Sequence, residues 1–211
     1  MTYGFTAGGS STNFGTLPTH ERFDDDANIH TFVRELDPID RSDAVASYSL
    51  DNYGFVCGGG FGSLVTTASN RRYDSLTDLF MYRQQLITPR WGLAAYAMAG
   101  YGFTTGGAIT TTSFGESAKT ERYDNTVNVA FSMTNLLVPR PRLIGFSLSS
   151  TQQYGYSSCG GWSRTTERLD YIMNTQTAVS GPSNIRHGPT GYSLHNFGYV
   201  CGGGSQLGAT T

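Results

Sequence analysis

Charge is scarce in this chain. Only 14% of its 211 residues are charged, and 14 Lys and Arg against 16 Asp and Glu leave a net charge of −2. Such a weak, slightly acidic field argues against a general nucleic-acid binder. No run of 18 apolar residues occurs, so the sequence offers no membrane-spanning helix. Neither a basic region nor an apolar stretch precedes Tyr3, and no secretory signal peptide is expected. No segment carries a convincing amphipathic period of 3.6. The four histidines, His20, His30, His187 and His195, lack zinc spacing. No G-x-S-x-G elbow is present.

Glycine is abundant instead, at 27 residues. "GYGFTTGG", Gly100 to Gly107, resembles a phosphate-cradling loop at first sight. The G-x-G-x-x-G spacing fails at Thr105, and no Lys follows the last glycine as a P-loop requires. The downstream "AITTTSFGESAKT" has no helical period, so no helix N-terminus waits there for an anion. The stretch is instead one of a series: "YGFTAGG" at Tyr3, "YGFVCGG" at Tyr53, "YGFTTGG" at Tyr101, "YGYSSCGG" at Tyr154 and "FGYVCGG" at Phe197. A second motif keeps the beat, with "ERFD" at Glu21, "RRYD" at Arg71, "ERYD" at Glu121 and "ERLD" at Glu167. Four residues after each of those Asp residues stands Asn28, Asp78, Asn128 or Asn174. A third motif, aromatic-x-aliphatic, precedes the glycine box as "YSL", "YAM", "FSL" and "YSL" from Tyr48, Tyr96, Phe146 and Tyr192.

Each repeat reads as four short strands. The aromatic-x-aliphatic run is the first, and two turn residues follow, such as Asp51-Asn52 or Ala99-Gly100. Two-residue hairpin loops demand positive φ. Tyr-Gly-Phe is the second strand, its glycine marking close approach by a neighbour. The glycine pair turns the chain, giving Gly8, Gly9, Gly58, Gly59, Gly106, Gly107, Gly160, Gly161, Gly202 and Gly203 a structural role. The third strand carries Arg-x-Asp: Arg22 and Asp24, Arg72 and Asp74, Arg122 and Asp124, Arg168 and Asp170. These Asp residues and the Asn or Asp four residues on bracket a tight turn. The arginines are expected to pair with carbonyls or carboxylates between units.

Four antiparallel strands recurring every ~50 residues is the period of a kelch-type propeller blade. Pro89-Arg90 stands sixteen residues ahead of Gly106, and Arg186 sixteen ahead of Gly202. Arg140 follows Pro139 with a longer hairpin inserted, and Arg41 lies one residue out of step. With these features, the glycine pairs and the Tyr-Asp turn, the sequence resembles the kelch family over nearly its whole length. It departs at the blade Trp, where His30, Phe80, Ala130 and Gln176 stand. A looser resemblance links "YGFTxGG" and "TERFDD" to tandem repeats of prokaryotic and phage appendage proteins. The resemblance implies an all-β, kelch-like β-propeller of about four to five four-stranded antiparallel blades. A single domain over residues 1–211 is expected, with repeats near 1–47, 48–95, 96–145, 146–191 and a partial 192–211. The first repeat supplies three strands and the last two, so the ring does not close cleanly. Blades completed by another chain, or a longer array of which this is a segment, are the expectations.

In such a scaffold, variable loops carry recognition. The links from second to third strands each hold one large aromatic: Phe14, Phe61, Phe114 or Trp162. These rings either plug their own blades, the favoured reading, or anchor a ligand. Arg41, Arg90, Arg140 and Arg186, ahead of the first strands, either serve the structure, the favoured reading, or line the loop face as further candidate ligands. Asp24-Asp25-Asp26 near His30 lacks the glycine and terminal Glu of a calcium loop. Cys57, Cys159 and Cys201 each precede a glycine pair and are read as small buried side chains, too far apart to bridge. No catalytic residue, metal or cofactor is expected. Some kelch-type propellers are copper oxidases, but no matching ligand set exists here. The resemblance implies a structural or binding module making protein–protein or glycan contacts, including contacts with copies of itself, in a virion or surface appendage. A cytoplasmic kelch-type adaptor is the runner-up, and a propeller sugar oxidase or lyase the third reading.

Overall fold

The computed structural model describes residues 3–7, 19–24, 26–35, 44–61, 65–110, 115–148, 153–205 and 208–209. Gly8, Gly9, Phe14, Arg41 and Phe114 lie outside them, as does the side chain of Phe61. Among the described residues every regular element is a strand. β1 (Tyr3–Ala7), β2 (Thr19–Asp24) and β3 (Ile29–Glu35) form the first antiparallel sheet. The second contains β4 (Ala46–Leu50) and β5 (Tyr53–Cys57). A small ribbon follows, β6 (Gly60–Phe61) with β7 (Val65–Thr66), and then β8 (Asn70–Asp74) and β9 (Leu79–Tyr82) complete the sheet. The third sheet is β10 (Ala94–Met98), β11 (Tyr101–Thr105), β12 (Thr120–Asp124) and β13 (Val129–Met133). The fourth is β14 (Ile144–Ser147), β15 (Tyr154–Ser158), β16 (Thr166–Asp170) and β17 (Thr175–Val179). The fifth has two strands, β18 (Thr190–Leu194) and β19 (Phe197–Cys201), followed by the ribbon β20 (Gly204–Ser205) and β21 (Gly208–Ala209).

Turn chemistry explains the strand breaks. Asp51, Ala99 and His195 open the first hairpins with φ of 56°, 52° and 53°. Asn28, Asp78, Asn128 and Asn174 close the third-strand turns at φ of 49–55°, a region short polar side chains tolerate. Asp24, Asp74, Asp124 and Asp170 cap those turns by accepting the N–H of Ala27, Leu76, Thr126 and Met173 at 2.9–3.1 Å. Two of the turn asparagines also reach the preceding sheet. Gln84 donates its N–H to Asn128 Oδ1 at 2.8 Å, and Thr134 to Asn174 Oδ1 at 2.9 Å.

Successive sheets meet through their first strands, β4 against β10, β10 against β14 and β14 against β18. The glycine of each Tyr-Gly-Phe run makes that approach possible. A Cβ added at Gly102 would lie 2.2 Å from the Tyr48 ring, at Gly155 2.1 Å from Tyr96, and at Gly198 2.1 Å from Phe146. Each first-strand aromatic thus seats on the following sheet's glycine. It also stacks on its own second strand: Tyr48 on Phe55 at 4.9 Å, Tyr96 on Phe103 at 5.6 Å, Phe146 on Tyr156 at 5.3 Å. Third-strand residues complete the filling from the other side. Tyr123 packs on Phe55, and Leu169 joins Tyr96 and Phe103.

The glycine pairs serve the same contact between sheets. Gly59, Gly107 and Gly160 donate their N–H groups to the carbonyls of Arg90, Arg140 and Arg186 in the link to the next sheet. A Cβ at Gly58 would lie 2.6 Å from the Arg90 carbonyl oxygen. In the fourth sheet Cys159 takes the place of the first glycine, at φ 59°, and Gly160 that of the second. Cys159 therefore lies one residue beyond the position of Cys57 and Cys201, where the fourth sheet has Ser158. This corrects the equal placement of the three cysteines. All three are free thiols, Cys57 and Cys159 buried and Cys201 half-buried.

Candidate functional site

Of the leading arginines, Arg90 and Arg140 take the structural role and not the loop-face one: both are buried and ion-paired. Arg90 donates to Glu121 Oε1 at 2.9 Å, to the Gly106 carbonyl at 2.8 Å and to Thr104 Oγ1 at 3.2 Å. Arg140 pairs with Glu167 and donates to the Cys159 and Ser157 carbonyls. Each glutamate also accepts two backbone N–H groups, Ile87 and Thr88 on Glu121, Leu137 and Val138 on Glu167. Such saturation is what keeps a buried ion pair tolerable. These arginines clamp the incoming link to the third strand of the sheet it enters, so neither is free for a ligand.

Three of the third-strand arginines lie over tyrosine rings of their own sheets, and Arg122 also donates to the Tyr171 hydroxyl of the next sheet at 3.3 Å. Arg72 lies 4.0 Å over Tyr53, Arg122 4.6 Å over Tyr101 and Arg168 4.5 Å over Tyr154. Each is a cation–π contact within its own sheet. Of the four blade-Trp positions, Phe80 packs its ring against Tyr73 and His20, and His30 lies 5.0 Å from the Phe23 ring. Asp24 caps its turn, and His30 is exposed nearby. Among the described residues no group of three or more His, Cys, Asp and Glu is placed to hold a metal. No helix there is long and apolar enough to cross a membrane.

Trp162 is the loop aromatic whose side chain is described, and it does not plug its own sheet. It is 43% exposed, stacked on His187 with centroids 4.4 Å apart and planes 13° from parallel. Arg142 Nη1 stands 3.4 Å from both ring nitrogens of His187. The Arg142 guanidinium lies 5.0 Å over the Trp91 ring. Trp91, Arg142, His187 and Trp162 thus form a layered row. Three lie in the links into the third, fourth and fifth sheets, and Trp162 in the link between β15 and β16.

Backbone hydrogen bonds fix this row. Gly92 donates to the Ala44 carbonyl, Arg142 to Gly92 and Gly188 to Arg142, at 2.9, 2.5 and 3.3 Å. All four residues have positive φ, including Arg142 at 56°. Trp162 is also left-handed at φ 61°, an uncommon conformation for a bulky residue. Gly161 donates to the Pro141 carbonyl and Ser163 to the Gly160 carbonyl, which hold that turn. The Trp91 indole N–H donates to the Thr110 carbonyl at 2.8 Å. Burial, then the Arg142 charge, lowers the pKa of His187, so at neutral pH its ring is uncharged. The row supplies flat rings, a guanidinium and hydrogen-bonding nitrogen atoms. Sequence reading found Trp162 but missed Trp91, Arg142 and His187. The available signal was that Trp91 and His187 directly follow the leading arginines Arg90 and Arg186.

No family model matches the chain, and no curated protein matches it. A solved structure described as "Structure of YjhT" is similar, with a TM-score of 0.74 over 95% of this chain and 72% of that one, at 13% sequence identity. At that identity the likeness concerns fold alone. Together with the sheet order it defines the class: an all-β, propeller-like protein built from antiparallel sheets, the full ones four-stranded.

Proposed function

We infer that this protein is a kelch-like propeller of about four to five blades. It acts as a non-enzymatic binding module in a surface or virion appendage, and its loop face makes the contact. The observation that carries this reading is the row Trp91–Arg142–His187–Trp162, with a partly exposed indole at one end. Aromatic rings and guanidinium groups dominate contact hot spots, and rigid links present them without an ordering cost. Ring faces beside fixed donors suit a glycan chain, which offers apolar C–H faces and hydroxyl groups together. The kelch-type repeats and the phage-appendage flavour of the motifs support the placement in an assembly.

The test is binding of the purified chain to an array of neutral and acidic glycans, with Trp162→Ala and Arg142→Gln alongside. Saturable binding lost by tenfold or more in both variants, with circular dichroism unchanged, supports the reading. Absence of binding to any glycan redirects the row to a protein partner. Turnover of a glycan would overturn the non-enzymatic reading.

A further inference from the structure

One junction of the Trp91–Arg142–His187–Trp162 row joins a permanent cation to a titratable ring. Arg142 Nη1 stands 3.4 Å from both nitrogens of His187. A neutral imidazole keeps one nitrogen as an acceptor, to which the guanidinium can donate. An imidazolium has only donors, as a guanidinium does. Protonation therefore removes the hydrogen bond and sets two positive charges against each other. The outer contacts tolerate the new charge. An imidazolium gains on the Trp162 ring, 4.4 Å away, and Arg142 keeps its place 5.0 Å over Trp91.

Among the described residues, neither Arg142 nor His187 has a carboxylate partner to neutralise the added charge. In the link to the fourth sheet, Arg140 is committed to Glu167. Arg186, beside His187 in the chain, donates from Nη1 to the Gly202 carbonyl at 2.5 Å. Arg164, two residues after Trp162, is a further exposed cation. β20 meets His187 through the Gly204 backbone, with 2.9 Å hydrogen bonds in both directions. The backbone ties along the row are longest at the same junction. Gly92 and Arg142 donate at 2.9 and 2.5 Å, whereas Gly188 reaches the Arg142 carbonyl at 3.3 Å.

We propose that the row is an acid-sensitive switch: protonation of His187 parts it from Arg142 and leaves two separate pairs, Trp91 with Arg142 and His187 with Trp162. Parting takes the neighbouring charge away from His187, so protons bind the parted state more tightly and acid shifts the population towards it. In the assembled row the Arg142 charge, second to burial, lowers the His187 pKa; linkage requires that parting raise it. The switch extends the contact reading above without resting on it. A ligand lying along the whole row is held at neutral pH and released in acid, whereas the parting itself needs no ligand.

Both tryptophans of the chain lie in the row, so their indole N–H resonances report on it directly. NMR titration of the full chain from about pH 8 to about pH 5 follows these two signals and the His187 ring. Trp162 senses the imidazole charge by direct stacking. Trp91 is linked to His187 through Arg142, so a Trp91 step at the His187 midpoint reports movement of Arg142. Wild type shows both steps at one midpoint, below 6.5, the ordinary histidine value. Arg142→Asn suits the φ of 56° at that position. It raises the His187 midpoint towards 6.5 and abolishes the Trp91 step, while Trp162 still responds. His187→Gln removes both steps. A Trp91 signal flat across the His187 titration in wild type overturns the proposal, and so does a Trp91 step that persists at that midpoint in Arg142→Asn. A Trp91 step in a chain that binds no glycan at any pH supports the switch and counts against the contact reading.

Discussion

Replacing the central glycine of a Tyr-Gly-Phe strand by alanine separates packing from motif. Gly54, Gly102 and Gly155 hold the same motif position, and none adopts a positive φ, so alanine fits the backbone at all three. What differs is the neighbour. At Gly102 the new methyl would lie 2.2–2.3 Å from two ring carbons and the hydroxyl oxygen of Tyr48, and at Gly155 2.1–2.8 Å from Tyr96. Both rings are buried and stacked on a second-strand aromatic, which leaves them no room to retreat. Overpacking of this kind costs about 1–3 kcal/mol, against a gain of roughly 0.4–1 kcal/mol from the stiffer unfolded chain. At Gly54 the nearest atoms are 3.9 and 4.0 Å away, and only the gain remains. Urea denaturation of dilute protein therefore gives Gly102→Ala and Gly155→Ala less stable than wild type, and Gly54→Ala equal or slightly more stable. For a chain of this length, each kcal/mol moves the melting temperature by roughly 2–4 °C. Tyr48→Leu combined with Gly102→Ala costs less than the sum of the two single changes, because the clash is gone. If Gly54→Ala proves as damaging as Gly102→Ala, the glycines answer to backbone conformation and the seating argument fails.

Glu167→Ala strands the buried Arg140 and orphans the N–H groups of Leu137 and Val138. A loss of about 3–5 kcal/mol is expected from the unpaired charge, while Arg186→Ala in the isolated chain is nearly silent; equal losses in denaturant melts would contradict the clamp. His187 has a folded-state pKa below its unfolded value, so the unfolded chain takes up its proton first on acidification. Stability from this residue is full above the ordinary histidine range and declines as pH falls through it. Trp162 fluorescence, stacked on the imidazole, should change with a midpoint below 6.5, the ordinary histidine pKa, and His187→Gln should remove the step. Burial pushes the Cys57 thiol up to about 12, so in native protein at about pH 8, near the ordinary thiol pKa, a thiol reagent modifies Cys201 first and leaves Cys57 intact; mass mapping reads the order.

Repetition made the strands legible, because a motif written several times reports its period and its turns together. Asn28, Asp78, Asn128 and Asn174 stand at the expected turns, each with positive φ, since local side-chain chemistry dictates them. What sequence could not show is which repeat touches which. The leading arginines and the third-strand arginines look alike as charged residues in a β context. Their fates diverge because Arg90 and Arg140 are buried against Glu121 and Glu167 of the sheet their link enters, whereas Arg72, Arg122 and Arg168 lie over tyrosine rings of their own sheets, Arg122 also reaching Tyr171 of the next. The candidate site was hidden for the same reason. Trp91, Arg142, His187 and Trp162 come from four segments of the chain, and hydrogen bonds between successive links bring them into one row. A repeat protein thus encodes its scaffold within each unit, and its contact surface in the residues by which the units differ. The Tyr-Gly-Phe glycines belong to the first class. Trp162, which follows a turn where Cys159 stands in for the first glycine, belongs to the second.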